Sequence, residues 1–256
     1  MNRVSFAGVR FLKKSLLVVF VLINGGNHCV VCGVRTLWYP LCRTCLDKFF
    51  SVEASSLSLR CKTCGKELIS TKDTCLQCRT NPVLLHTDSV WPLFSYRLWN
   101  KDLMFLWKNV GLRSLSDIFA GFVAAALKIK GINIVVPVPP RPGKIQEKGW
   151  DQINDICLQL KYRYGFSILP LLKRRTSGQQ KKLDREERLK TIGKSYFLAG
   201  EKEVQKVLKP FGGRFPKRVC IVDDVCTTGS TLENCAAVLK EAGIETVDAI
   251  TLFAVD

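Results

Sequence analysis

Asp223 and Asp224 stand side by side after four apolar residues, Val219, Cys220, Ile221 and Val222, and shortly before Thr227-Thr228-Gly229-Ser230-Thr231. Carboxylates accept hydrogen bonds from sugar hydroxyls or help hold a divalent cation, and they repel phosphate. Small hydroxyl residues where a helix begins do the reverse. Their hydroxyls and backbone amides wrap an anion, and the positive end of the helix dipole favours it. Gly229 lets the backbone approach closely. Both halves together suit a ligand with a terminal phosphate, vicinal hydroxyls and a metal-bound anion. The G-x-x-x-x-G-K-[ST] phosphate loop is absent. A simple helix cap at a strand end would need only one acid.

Eight of the twelve cysteines form a second candidate centre: Cys29-x2-Cys32, Cys42-x2-Cys45, Cys61-x2-Cys64 and Cys75-x2-Cys78. Each knuckle presents two thiolates, and two knuckles complete a tetrahedral zinc site, which gives about two structural zinc ions per chain. Gly33 and Gly65 each follow a knuckle, where a tight turn helps the backbone wrap the metal. A disulfide scaffold, which needs an oxidising compartment, and a redox CxxC pair are the rival readings. The spacing leaves the pairing open: each half forms its own ribbon, or the knuckles interleave. Cys157, Cys220 and Cys235 read as small buried hydrophobes.

These residues need elements to hold them. Residues 219–222 read as a buried strand of a parallel sheet, and Leu232, Ala236, Leu239 and Ala242 as one face of a helix stopped by Gly243. The acids and hydroxyls therefore sit at the carboxyl end of a strand, where open α/β sheets bind ligands. Upstream, residues 115–130 carry Ile118, Phe119, Phe122, Val123, Ala126 and Leu127 on one helical face. Residues 132–140 read as a strand closed by prolines, 150–164 as a helix, and 245–255 as the last strand. Alternating strands and helices predict an α/β fold with a parallel sheet, preceded by a small Cys-rich double zinc ribbon. The expected divisions are 1–27, a basic and apolar segment; 28–89, the double zinc ribbon; and 90–256, the α/β domain. Trp91, Phe94, Tyr96, Trp99, Phe105 and Trp107 form a hydrophobic seam between the two folded parts or a base-stacking platform.

Lys and Arg number 39 against 22 Asp and Glu, a net charge of +17. The excess is spread over both parts of the chain, so the expected partners are polyanions: nucleic acid, anionic lipid or phosphorylated small molecules. Arg3, Arg10, Lys13 and Lys14 precede an apolar run from Leu16 to Ile23. That run resembles the centre of a secretory signal, but it falls short of the ~20 residues that span a bilayer. No A-x-A cleavage site follows it. The expectation is a cytoplasmic protein whose residues 1–27 pack on the zinc region or make a peripheral membrane contact.

"VCIVDDVCTTGST" (219–231) matches throughout the 5-phosphoribosyl-1-pyrophosphate (PRPP) motif of type I phosphoribosyltransferases. From about residue 28 to 254 the chain resembles the ComF family. The resemblance rests on the Cys-rich double ribbon, "IVVPVPPRPGKIQEKGWDQ" (134–152), "QQKKLDREERLKTIGKSYF" (179–197) and the PRPP motif. It implies a phosphoribosyltransferase-like domain in which Asp223 and Asp224 contact ribose and Thr227, Thr228, Gly229, Ser230 and Thr231 hold the 5′-phosphate. It places the turn at Pro137 to Pro140, with Pro139 and Arg141, as the pyrophosphate-binding loop, and it brings magnesium with PRPP. The family's R-G-F-N-Q reads Lys148-Gly149-Trp150-Asp151-Gln152 here, so Asp151 adds a negative charge. Gln180, Leu183 and Arg188 stand at family positions, and Thr191 replaces the usual Asn.

The basic stretch Lys173 to Lys194 has three readings: a loop that closes over pyrophosphate, a nucleic-acid contact, or a solvated helix face. The residues placed to carry chemistry are Asp223, Asp224, Lys181, Lys182 and Arg188. ComF relatives are associated with natural competence, where incoming single-stranded DNA is handled beside a helicase. The resemblance thus implies a protein that binds PRPP and single-stranded DNA during DNA uptake, with phosphoribosyl transfer as a further activity. Two alternatives stay open: an active phosphoribosyltransferase on an unknown acceptor, and a zinc-ribbon adaptor for other proteins. Fold analogy does not choose among them.

Overall fold

A computed structural model describes residues 27–37, 39–55, 60–68, 72–96, 99–175 and 195–255. The chain divides into two compact units, Met1–Val52 and Glu53–Asp256. In the first, β1 (Asn27–His28) pairs antiparallel with β2 (Arg35–Thr36) around the first knuckle, and α1 (Arg43–Ser55) carries Cys45. The Gly33 amide donates to Cys29 O at 2.8 Å and closes the turn.

The second unit begins with the third knuckle and the short helix α2 (Leu76–Thr80), capped by the Cys75 sulfur. Then come β3 (Ser89–Ser95) and α3 (Trp99–Phe105), which runs into a π turn, Leu106–Val110. Next are α4 (Leu115–Ile129), β4 (Ile134–Pro137), α5 (Lys144–Lys148), α6 (Gln152–Tyr164) and β5 (Ser167–Ile168). A small antiparallel pair follows, β6 (Leu172–Arg174) with β7 (Tyr196–Leu198). The chain ends with α7 (Glu201–Leu208), β8 (Arg218–Cys226), α8 (Ser230–Glu241) and β9 (Thr246–Ala254).

The main sheet has the order β3-β9-β8-β4-β5, and every neighbouring pair is parallel. Its strands read as apolar runs because helices cover both faces. Leu232, Cys235, Ala236 and Leu239 of α8 pack with Val219, Ile221, Val247 and Ala249. Phe119 of α4 meets Phe253 of β9, which in turn touches Phe94 of β3. Cys157, Cys220 and Cys235 are buried, as their sequence surroundings predicted.

The aromatic run serves partly as the predicted seam, since Trp91 lines a cavity with Cys61 and Gly65 of the second cysteine cluster, and partly as core. Residues 89–95 form an edge strand, where Pro92 is tolerated because one side of the strand needs no partner. Phe94 and Trp107 are buried within the sheet domain, Trp107 edge-on to Phe119. These two rings therefore serve the core of that domain and are not exposed for stacking on bases. Among the described residues no helix is long and apolar enough to cross a membrane.

Candidate functional site

Strands β4 and β8 are neighbours in the middle of the sheet. The chain leaves β4 outward toward β5, and leaves β8 in the opposite direction toward β9. This is a topological switch point, where a crevice opens at the carboxyl ends of the strands. Pro137 pairs with Val222, and the Val138 amide donates to Val222 O at 3.1 Å. The turn carrying Pro139 and Arg141 is thereby laid beside Asp223 and Asp224. A crevice of about 390 Å³ results, lined by Pro139, Arg141, Asp223, Asp224 and Thr231 among others.

Lys108 and Lys144, which the sequence did not single out, and Arg174 of the basic stretch supply much of its charge. Lys108, on the π turn, holds Asp224 at 2.6 Å. The side chains of Lys144, Arg174 and Tyr196 line the same crevice. Burial, and then the neighbouring Asp224 carboxylate, push the Asp223 carboxyl up to about 8. The Asp224 amide, which donates to Asp223 Oδ1 at 2.8 Å, and the Lys108 ammonium act in the opposite direction. Asp223 is thus kept near the acid form, while Asp224 has an ammonium partner.

Asp151 does not present a bare charge to the turn. Its Oδ1 accepts the Asn154 amide at 2.9 Å, which caps α6, and its Oδ2 lies 2.7 Å from Lys144 Nζ. Arg141 makes a two-pronged ion pair with Glu147, so this expected ligand contact already has a carboxylate partner.

The hydroxyl loop bends at Thr227–Gly229 and feeds straight into α8. Gly229 has φ +83°, a left-handed conformation that favours glycine. Thr228 Oγ1 accepts the Ser230 amide at 3.3 Å. Among the described residues the amides of Thr227 and Thr228 have no partner, leaving two donors just before the helix, while the Gly229 amide donates to the Cys226 sulfur. Thr231 reaches into the crevice and bonds to Tyr196. Thr227 to Ser230 line an adjoining cavity of about 240 Å³. Lys181, Lys182 and Arg188 lie outside the described residues.

The cysteines resolve into two clusters, Cys29/Cys32/Cys42/Cys45 and Cys61/Cys64/Cys75/Cys78, with each set of sulfurs within 4.8 Å of one another. Each half is therefore its own centre, and the knuckles do not interleave. A tetrahedron with Zn–S bonds of ~2.3 Å has edges of about 3.8 Å. The Cys32–Cys42 and Cys64–Cys75 sulfurs stand 3.6 and 3.7 Å apart, which fits four thiolates around one ion. A disulfide would bring sulfurs to ~2.05 Å. Desolvation raises the Cys29 and Cys61 thiols, but backbone amides that donate to them outweigh it and bring each down to about 6. One ready thiolate per cluster gives a metal its first ligand. Both clusters can hold zinc.

The class of protein follows from this arrangement: a parallel α/β domain with a phosphoribosyltransferase-type acidic and hydroxyl loop, accompanied by two tetra-Cys centres. The phosphoribosyl transferase domain family matches residues 199–256, which contain β8, the loop, α8 and β9. The chain is also similar to the competence protein ComFC of Streptococcus pneumoniae, with 28% identity over 214 residues, 83% of this chain and 86% of that protein. These findings bear out the ComF-family reading of the sequence.

Proposed function

We propose that this chain binds PRPP in the crevice between the Pro137–Arg141 turn and the β8–α8 loop. The observation that carries this reading is the convergence of Asp223, Asp224, Thr231, Pro139 and Arg141 on one crevice at the switch point of the sheet. The ribose hydroxyls donate to the acidic pair, the 5′-phosphate lies on the free amides of the hydroxyl loop, and the diphosphate lies toward Arg141 and Lys144. Ligand binding frees Lys108 and Arg141 from their carboxylates to meet ligand oxygens. Asp224 is already paired with Lys108, so the acidic pair does not offer two free carboxylates to a dication. Magnesium, where it takes part, belongs to the diphosphate.

The wider role follows the relative. We assign the chain to competence-associated DNA uptake in the cytoplasm, with single-stranded DNA and a helicase as partners and zinc in both cysteine clusters. The similarity to ComFC and the charge of +17 support this. Phosphoribosyl transfer would use the same crevice, with its basic side chains neutralising the departing pyrophosphate. Calorimetry with PRPP and Mg²⁺, followed by a pyrophosphate-release assay, tests the reading. Binding without release makes PRPP a regulatory ligand, and no binding by the wild type removes the site.

A further inference from the structure

The second cysteine cluster and the hydroxyl loop share the 240 Å³ cavity. Cys64, Lys66 and Cys78 line one side of it, and Thr227 to Ser230 the other. Several contacts fix this arrangement. Leu84 Cδ2 stands 3.0 Å from where a Cβ on Gly229 would be, so the segment after the knuckles lies against the loop. Glu233, in the first turn of α8, accepts the His86 and Thr87 amides at 2.8 and 3.2 Å and the Thr87 hydroxyl at 3.1 Å. The Val90 amide donates to Thr63 O at 2.9 Å. The third knuckle, β3 and the start of α8 are thus tied together within one compact unit.

Lys66 follows Gly65 directly, and the knuckle positions it. The Cys61 amide donates to Lys66 O at 2.8 Å, and the Lys66 amide donates to the Cys64 sulfur. Its ammonium has no ion-pair partner among the described residues. Of the crevice cations, Lys108, Arg141 and Lys144 each hold a carboxylate, Lys148 donates to the Lys108 carbonyl, and Arg174 lies over the Tyr196 ring. An unpaired cation and two free amides on one cavity supply the donors and the charge that an anion site needs.

We propose that Lys66, presented by the second cysteine cluster, completes the phosphate half of the site. This rests on the phosphate-loop reading above. A phosphate on the Thr227 and Thr228 amides takes its balancing charge from the knuckle instead of the sheet domain. Metal in the second cluster then holds a ligand-binding residue in place.

The test compares wild type with Lys66→Ala, Lys66→Arg and Lys62→Ala by calorimetry, using PRPP, ribose 5-phosphate and inorganic pyrophosphate as probes. Zinc content is measured on each variant. Lys62 is the control, since it pairs with Asp73 on the same module. Lys66→Ala is expected to lose about tenfold in affinity for PRPP and ribose 5-phosphate, with pyrophosphate binding and zinc content unchanged. Lys66→Arg should stay within about threefold of wild type, and Lys62→Ala should match it. Equal binding by wild type and Lys66→Ala overturns the inference and leaves the PRPP site standing. An equal loss for ribose 5-phosphate and pyrophosphate overturns it too, because the charge would then act on the whole crevice. A wild type that binds none of the probes removes both readings.

Discussion

Asp223 is a carboxylate whose fold favours the acid form. An unfolded Asp titrates near ~3.9, and the folded one at about 8. Between those values the folded chain binds the extra proton, so this group's contribution to stability is lost as pH rises from about 4 to 8. Asp224 and Asp151 face it and push in that direction, and Lys108 opposes them. Tyr196, Cys226 and Cys235 also face it, with their own values raised, so they stay neutral over this window. Asp223→Asn keeps the shape of the neutral acid. It should flatten the slope and leave the ligand-free chain roughly 1–3 kcal/mol more stable at pH 8 while weakening PRPP binding. Urea unfolding of both proteins at pH 5 and pH 8 checks this, and equal slopes would assign the titration to another group. Asp224→Asn removes the charge that Lys108 and a ribose hydroxyl share. It should cost roughly 1.5–3 kcal/mol of PRPP affinity, about 10- to 150-fold, read by calorimetry.

At the scale of elements, two glycines hold turns against their neighbours. A Cβ on Gly65 would lie 2.2 Å from Pro92 Cδ and 2.5 Å from Val90 O, and its φ is +71°. The third knuckle can dock on β3 only without a side chain there. Gly65→Ala should destabilise the Glu53–Asp256 unit by roughly 1–3 kcal/mol and lower zinc occupancy of the second cluster. Thermal unfolding and elemental analysis measure the two effects, and an unchanged melting temperature would mean the docking contact is dispensable. Gly229→Val adds a branched side chain at φ +83° beside Leu84. It should abolish PRPP binding more completely than Asp224→Asn does, because it displaces the amides themselves. The π turn belongs to this scale as well. It places Lys108 on Asp224, and its Lys108 carbonyl accepts from Lys148 Nζ at 3.3 Å, joining it to the turn before α6.

For the molecule as a whole, the charge of +17 and the two cysteine clusters set the expectations. Chain purified under reducing conditions should carry about two zinc ions, and Cys61→Ser about one. Elemental analysis that finds no zinc, with the cysteines oxidised, would sink the metal reading. For nucleic acid, the basic stretch offers Arg174, Arg175, Lys181 and Lys182, but Arg174 lines the crevice. Replacing Arg175, Lys181 and Lys182 with Ala therefore separates the two roles. Each phosphate contact to a single strand contributes about 0.7 to the slope of log affinity against log salt, so a DNA contact here predicts a slope flatter by up to ~2. PRPP affinity should hold while that slope falls. An unchanged slope together with an unchanged rate of pyrophosphate release would make the stretch a solvated surface.

The strand, loop and helix from Val219 to Glu241 were legible in the sequence because each signal is local: an apolar run, an acidic pair, hydroxyls around a glycine, then a helical period. The four CxxC knuckles were legible for the same reason, since two ligands three residues apart need no distant partner. Which knuckles share a metal was not, because the spacing permits both pairings and only the folded positions of the sulfurs distinguish them. The sequence suggested a seam at residues 91–107 but did not show β3. Pro92 and the aromatics around it obscure a strand that forms only because β9 offers it an edge. Asp151 looked like a charge against the ligand, yet it caps α6 and meets Lys144, which depends on how the turn before the helix folds. Lys108 and Asp224 lie far apart in the chain, and the π turn that joins them leaves no periodic trace. Residue types and local spacing determined the chemistry available to this protein. The tertiary structure decided which charges neutralise one another, because Coulomb partners are chosen by distance in space.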